Sequence, residues 1–460
     1  MTTETAASSG YRRATMLMTA TSVLVPLGGL VTAPVLAQAL GVDGRGEVAA
    51  ALAPATLVLG IATLGLPEAL VYLVARRPSI ARRAIAWSAL VSTGVGLLSV
   101  AAVWWALPFL SAGDEDLAAL IMTASVWNVP ALVVGVLRGA ATGRQMWGVI
   151  AWERIALTVA RIGVLFGLFA VDLLTVKVAV LVSIALPILS GLVYLPVLRR
   201  PPQGHDVADD GAPDPRVFIP MMRYGTAIWH GGIATMAIAR LPALLMLPLS
   251  GSQALGLYSV ATQIADAPLI VAMAIQNTLF GVSSRAGDPG RVTLTSRLTL
   301  LFGVAGCLAM GLTLPWWIGP LFGEEFTAAI APTLLLLGSA IILIPGLMAT
   351  SGLAAWGRPG LRSASQVASL VVHLGAFLVL VPSHGAVGAG WAAIAGTVTM
   401  TAVAVVTASR VMDVRARDFL LPGGSDVARA WAEGRGLAAR LMPRGRGRAK
   451  TTAPDDTPSP

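Results

Sequence analysis

The chain has 460 residues, of which 56% are hydrophobic and only 12% charged, with a formal net charge of +9. Soluble proteins carry about 25% charged residues, and no length lets half that density clothe a water-facing surface. Soluble enzymes are excluded, and so is nucleic acid as the reason for the charge, because the basic residues form short clusters between apolar spans.

A bilayer core about 30 Å thick takes roughly 20 apolar residues of helix. Twelve segments meet that template, over 14–40, 47–74, 84–111, 117–140, 146–171, 177–198, 218–249, 255–282, 296–318, 327–355, 363–382 and 387–410. The first ends near Ala37-Gln38-Ala39, which looks like a signal-peptide cleavage site. Its apolar run is about twice the usual length of such a peptide, so it reads as a retained span. The predicted fold class is therefore an all-α polytopic membrane protein with about twelve transmembrane helices.

Loop charges set the orientation. One set of alternate loops holds Arg12/Arg13, Arg76/Arg77/Arg82/Arg83, Arg138/Arg144, Arg199/Arg200/Arg216, Arg285/Arg291/Arg297 and Arg358/Arg362. With the C-terminal segment they contain 26 of the 32 Lys and Arg residues. The other set holds Arg45 and Lys177 beside Asp43, Asp114, Glu115, Asp116, Glu324 and Glu325. The positive-inside rule then places both termini in the cytoplasm and the chain in the inner (plasma) membrane.

The longest internal loop is rich in Pro, Gly and Asp and divides the spans into six and six. The expected organisation is an N-terminus over 1–13, a six-helix lobe over 14–198, a linker over 199–217, a second six-helix lobe over 218–410 and a basic tail over 411–460. A shift of 210 residues lays Gly46 on Gly256 and Asp114-Glu115 on Glu324-Glu325, and a shift of 214 lays Gly143-Arg144 on Gly357-Arg358. Six spans per half insert both halves the same way, so the repeat is parallel, with a pseudo-twofold axis along the membrane normal. In the tail, Val427, Trp431, Ala438 and Leu441 fall on one helical face and suggest an interfacial helix, followed by a disordered end from Pro443.

Function must lie in the polar residues that the spans tolerate. The single cysteine, Cys307, and the four scattered histidines offer no disulfide, thiolate or histidine metal site. An intramembrane charge costs at least about 2.5–3.5 kcal/mol and so needs a partner or a cavity. Arg154 and Arg161 are seven residues apart on one face of the fifth span, and Arg223 and His230 repeat the spacing on the seventh, with Arg240 a quarter turn away. Guanidinium groups pair phosphate oxygens bidentately, so this lining suits an anionic headgroup. Snorkelling toward the interface is the plainer role for Arg154 and Arg223. Arg240 and Asp266 lie at matching depth on neighbouring spans and form a candidate ion pair or gate. Glu68 follows Pro67, which loosens the helix, and with Asp266 is a candidate site for H⁺ or Na⁺ coupling. No other cofactor is expected.

These residues resemble the polysaccharide and oligosaccharide-lipid flippases of the multidrug/oligosaccharidyl-lipid/polysaccharide (MOP) exporter superfamily, over about 14–410. In the first half the likeness rests on Leu40-Gly41-Val42-Asp43-Gly44-Arg45-Gly46 and Leu64-Gly65-Leu66-Pro67-Glu68. In the second it rests on Gly256-Leu257-Tyr258-Ser259-Val260-Ala261, Leu321-Phe322-Gly323-Glu324-Glu325-Phe326, Gly357-Arg358-Pro359 and Gly385-Ala386-Val387-Gly388-Ala389-Gly390. The resemblance implies two lobes forming a V that opens alternately to either side. It also implies a polyprenyl-diphosphate-linked sugar as cargo, for cell-surface polysaccharide assembly. The family often has Arg-Leu-Asp in the seventh span; here Arg240-Leu241-Pro242 departs from it, which makes Asp266 the acid to test.

The expected partners are a lipid-linked glycan, the bilayer and a polysaccharide polymerase or glycosyltransferases. A cation-coupled multidrug exporter of the same superfamily is the alternative. It would want an acidic, aromatic cavity, whereas these spans hold more arginine than carboxylate. Loops of at most about 18 residues are too short to fold alone, which argues against an enzyme.

Overall fold

The computed structural model describes residues 2–76, 80–196, 218–286 and 288–421, so the expected linker over 199–217 and the helix over 427–441 lie outside the described residues. Every regular element within them is helical. In chain order they are α1 (Thr2–Ile61), α2 (Leu66–Arg76), α3 (Ala81–Leu110), α4 (Glu115–Gly143), α5 (Trp147–Ala170), α6 (Val176–Gly191), α7 (Phe218–Ala286), α8 (Pro289–Phe322), α9 (Ile330–Ala355), α10 (Pro359–Met412) and the short α11 (Arg417–Leu420).

Three of these helices are too long for one crossing: α1 has 60 residues, α7 has 69 and α10 has 54. Each is broken by a glycine in a backbone conformation that no helix accepts. Gly41 has φ 65° and ψ −174°, Gly251 has φ 83° and ψ 176°, and Gly385 has φ 53° and ψ −130°. Without a Cβ, glycine adopts the positive φ that such a reversal needs. In α10 the arms fold back as a hairpin, since Ser369 donates to the Gly396 carbonyl at 2.8 Å.

Among the described residues eight segments are long and apolar enough to cross a membrane. Three of the eight, 23–75, 233–276 and 359–412, contain the broken turns and so cross twice. The twelfth crossing is α5, which fails the apolar criterion because Glu153, Arg154 and Arg161 fall in every 18-residue stretch of it. The chain is thus a multi-pass membrane protein with the expected twelve crossings. Large apolar side chains face outward, among them Leu98, Leu312 and Val379, as a hydrocarbon solvent requires.

The internal repeat is written in the backbone. Residues with positive φ recur in corresponding turns: Gly41 with Gly251 and Gly113 with Gly323, 210 residues on, Gln145 with Gly357, 212 on, and Asp172 with Gly385, 213 on. One break has no counterpart. Leu64 (φ 46°) and Gly65 (φ 67°) interrupt the second crossing, whereas α7 runs unbroken through 274–275. Pro67 does not itself kink a helix, as its position had suggested. It stands in the first turn of α2, where its missing N–H is harmless, and the two residues with positive φ before it make the break.

Helices α1 to α6 pack among themselves as one lobe, and α7 to α11 as the other, with α1 against α7 as the main seam. Short capped turns join antiparallel neighbours. Asp114 accepts from the Leu117 N–H (3.0 Å) at the start of α4, and Thr175 from that of Val178 (3.4 Å) at the start of α6. Small residues set the close approaches inside a lobe, as is usual where no hydrophobic effect drives helices together. A Cβ on Gly139 of α4 would stand 2.6 Å from the Pro67 carbonyl.

Candidate functional site

The turns bearing Asp43, Asp114 to Asp116, Glu324 and Glu325 mark one end of the molecule, called the acidic end. Those bearing Arg82, Arg83, Arg144, Arg358 and Arg362 mark the basic end. The two lobes meet near both.

At the acidic end the contact is reciprocal. Gly46 of α1 lies so close to the Ser252 carbonyl of α7 that a Cβ would overlap its oxygen, and Gly256 of α7 lies equally close to the Val42 carbonyl of α1. Val42 and Ser252 stand 210 residues apart, as do Gly46 and Gly256, so the two contacts are copies of each other. Polar bonds fasten the same seam. Ser252 donates to Asp43 Oδ1 (2.7 Å), Arg45 to Gln263 Oε1 (2.9 Å) and Gln38 to the Leu321 carbonyl (2.8 Å).

At the basic end the seam is built from the break in the second crossing. Gly65 abuts the Gly225 carbonyl, again with no room for a Cβ, and Trp229 Nε1 donates to the Ile61 carbonyl at 2.6 Å. The 19 residues from Gly46 to Gly65 cover roughly 28 Å of helix, about the thickness of a bilayer core. The lobes are therefore in contact on both sides of the membrane.

Two arginines stand out for what they lack. Arg45 is 6% exposed, and its Nε is buried without a hydrogen-bond partner. The charged group that bears on it is another arginine, Arg161 of α5, whose Nε is likewise buried and unpartnered. No carboxylate of a described residue lies within ion-pairing reach of either. Arg161 also lines a small cavity of about 40 Å³ with Val25, Gly28, Thr158, Ser183 and Pro187, between α1, α5 and α6. Arg45 was not among the residues singled out from the sequence. As one of two basic residues in the acidic-end loops it carried a signal, but the count of loop charges assigned it to the surface.

The other candidates are placed as follows. Arg154 is half-buried on α5, and its carbonyl accepts from Thr158 (2.8 Å). Arg223 and Arg240 are exposed on α7. The His230 side chain lies outside the described residues. Asp266 is exposed on the second arm of α7, within electrostatic reach of Arg240 but with no direct ion pair between them. Glu68 is exposed in the first turn of α2.

An ion-paired carboxylate of the first lobe is Glu153, which is fully buried. It accepts from Arg138 (2.8 Å), Ser190 (3.1 Å) and Tyr194 (3.2 Å), tying α5 to α4, to α6 and to the 3-10 turn Leu192–Tyr194 that follows it. Three donors satisfy this buried charge and leave it a structural tie. Among the described residues no three His, Cys, Asp or Glu side chains come close enough to share a metal ion.

The family model described as "Polysaccharide biosynthesis protein" matches residues 12–286. No curated protein matches the chain. Among solved structures, one similar chain is an inward-facing multidrug resistance MATE family transporter of the MOP superfamily, with TM-score 0.67 and 15% identity over 83% of this chain and 94% of that one. A second is the lipid II flippase MurJ in an inward closed conformation, with TM-score 0.66 and 8% identity over 94% and 93%. A third is the Vibrio cholerae MATE transporter VcmN, with TM-score 0.59 and 13% identity over 92% and 100%. At these identities the likeness is one of fold.

Proposed function

The chain belongs to the polysaccharide biosynthesis protein family, and from that premise we propose that it is a flippase of the MOP superfamily for a polyprenyl-diphosphate-linked oligosaccharide. The lobes, over 14–198 and 218–410, rock about the seam so that the cargo site faces each side in turn. The acidic end faces outward and both termini lie in the cytoplasm, following the basic loops. Flipping supplies glycan to a polymerase or to glycosyltransferases on the far side.

The observation that carries an anionic cargo is the pair Arg45 and Arg161. Two guanidinium groups near each other, one buried and one half-buried, with no carboxylate in reach, are costly unless an anion completes them. A diphosphate presents pairs of oxygens spaced to match the guanidinium fork. Arg45 also bonds Gln263 of the opposite lobe, so a headgroup that draws on Arg45 loosens the acidic-end seam. Binding is thereby coupled to opening. Arg154, Arg223, His230 and Arg240 extend the cationic path, while Glu68 and Asp266 are the acids available for H⁺ or Na⁺ coupling.

The test is reconstitution in proteoliposomes with a fluorescent polyprenyl-diphosphate oligosaccharide, with flipping read by an impermeant quencher. Wild type flips the diphosphate and leaves a neutral polyprenyl glycoside in place, and Arg45→Gln or Arg161→Gln slows flipping by about tenfold, the loss of one charge-assisted contact. Equal flipping of the neutral lipid would overturn the anionic reading. Transport of organic cations instead would favour a multidrug exporter. Flipping unchanged after collapse of the H⁺ and Na⁺ gradients would remove the coupling role of Glu68 and Asp266.

A further inference from the structure

A Trp-Trp-x-x-Pro sequence occurs in both halves, 212 residues apart. It is Trp104-Trp105-Ala106-Leu107-Pro108 near the end of α3 and Trp316-Trp317-Ile318-Gly319-Pro320 near the end of α8. An acidic turn follows each, Asp114-Glu115-Asp116 in the first half and Glu324-Glu325 in the second.

The two copies are built differently. In the second half Trp317 donates to Thr313 Oγ1 (3.2 Å) and packs against Phe322 with ring centroids 6.3 Å apart. The Glu324 carboxylate folds back over Gly319, and that of Glu325 lies beside Gly41 in the seam. That copy is closed on itself. In the first half Trp104 and Trp105 remain 66% and 82% exposed. Together with Pro108, Ser111, Asp114 and Glu115 they line an open groove of about 460 Å³.

The depth of the groove narrows what can occupy it. Trp104 stands 23 residues beyond Ala81 at the start of α3, roughly 35 Å along the helix and just past a hydrocarbon core of about 30 Å. This is the level of lipid headgroups. A tryptophan at that level is ordinary, but two indoles sharing a groove with carboxylates offer more than an anchor. One Asp114 oxygen caps α4, while Glu115 is exposed at the first position of that helix. Glu47 stands within electrostatic reach of both Asp114 and Asp43, so the surroundings are negative. Indole faces with nearby carboxylates are the chemistry that recognises an organic ammonium group.

We propose that this groove is a binding site for an ammonium-bearing phospholipid headgroup in the leaflet at the acidic end, with the cation against Trp104 and Trp105 and hydrogen-bonded to Glu115. The groove is lined by other residues than the Arg45–Arg161 pair and its occupancy does not depend on which cargo the lobes carry.

Native mass spectrometry of the full chain, equilibrated with equal amounts of phosphatidylethanolamine and phosphatidylglycerol, tests it. Wild type retains phosphatidylethanolamine over phosphatidylglycerol by about threefold, the ratio that one exposed cation–π contact supports. The Trp104→Ala/Trp105→Ala double variant brings the ratio to one, and Glu115→Gln lowers it. Trp316→Ala, which removes an exposed indole from the closed copy, leaves the ratio at the wild-type value. N-acetylated phosphatidylethanolamine, which lacks the ammonium charge, is not preferred. Equal retention of the two lipids by wild type, or a preference that survives the double variant, would overturn the proposal.

Discussion

Gly46 of the first lobe sits on the Ser252 carbonyl of the second with no space for even one more carbon. The lobes cannot close at the acidic end unless that position is glycine. Gly256 imposes the same condition from the other side.

Gly46→Ala and Gly256→Ala should therefore act alike, forcing the acidic end open. In a Cys307→Ser background, Val42→Cys, which lies buried in the same seam at 4% exposure, should react with an impermeant maleimide about tenfold faster in either variant, the response to a population shift of about 1.4 kcal/mol. Gly94→Ala, where a Cβ meets nothing within 4 Å, provides the control. Unchanged labelling in both seam variants would mean that the contact is not a seal.

Gly65→Ala should do the opposite. Its φ of 67° costs an L-residue about 1–2 kcal/mol, and the new methyl meets the Gly225 carbonyl. The basic end opens, so Thr63→Cys becomes more reactive while Val42→Cys stays protected. Labelling at both ends would instead mean that the lobes have come apart.

Arg161→Met separates stability from function. Replacing an unpaired, half-buried guanidinium with an apolar chain of similar length removes a desolvation cost and should stabilise the fold by about 1 kcal/mol. The same change should abolish flipping of the diphosphate-linked cargo. Thermal unfolding in detergent and the proteoliposome assay measure the two effects, and a loss of both would indicate that Arg161 supports the fold.

Glu153→Ala tests the buried tie. Arg138, Ser190 and Tyr194 all lose their acceptor, and stability should fall by about 3 kcal/mol. Glu153→Gln keeps two neutral acceptor contacts and should recover part of the loss. Activity per folded molecule should remain near wild type, because this carboxylate holds helices together and faces no cargo.

Much of the architecture was legible because hydrocarbon is an exacting solvent. Runs of apolar residues had to be spans, and Gly46 and Gly256 could be aligned before any contact between them was known. The site was less legible, for a definite reason. Arg45 looked like a loop charge, because one-dimensional hydropathy does not register that the loop is buried between lobes against Gln263. The tie at Glu153 was hidden as well, because its donors Ser190 and Tyr194 come from a helix and turn 37 and 41 residues further on. The paired Trp-Trp-x-x-Pro segments were present in the sequence, but they vary in packing rather than in composition. Only their surroundings distinguish an open groove from a closed one.

The reciprocal acidic-end contact also bears on the origin of the molecule. A patch that meets its own copy across a twofold axis is the signature of an isologous interface, the kind that joins identical subunits in a dimer. Val42 with Gly256 and Ser252 with Gly46 are one such patch used twice. The seam thus has the form of a dimer interface between two six-helix subunits, here carried on one chain. The unmatched break at Leu64–Gly65 is a departure from that symmetry, and it gives the two ends of the seam different hinges.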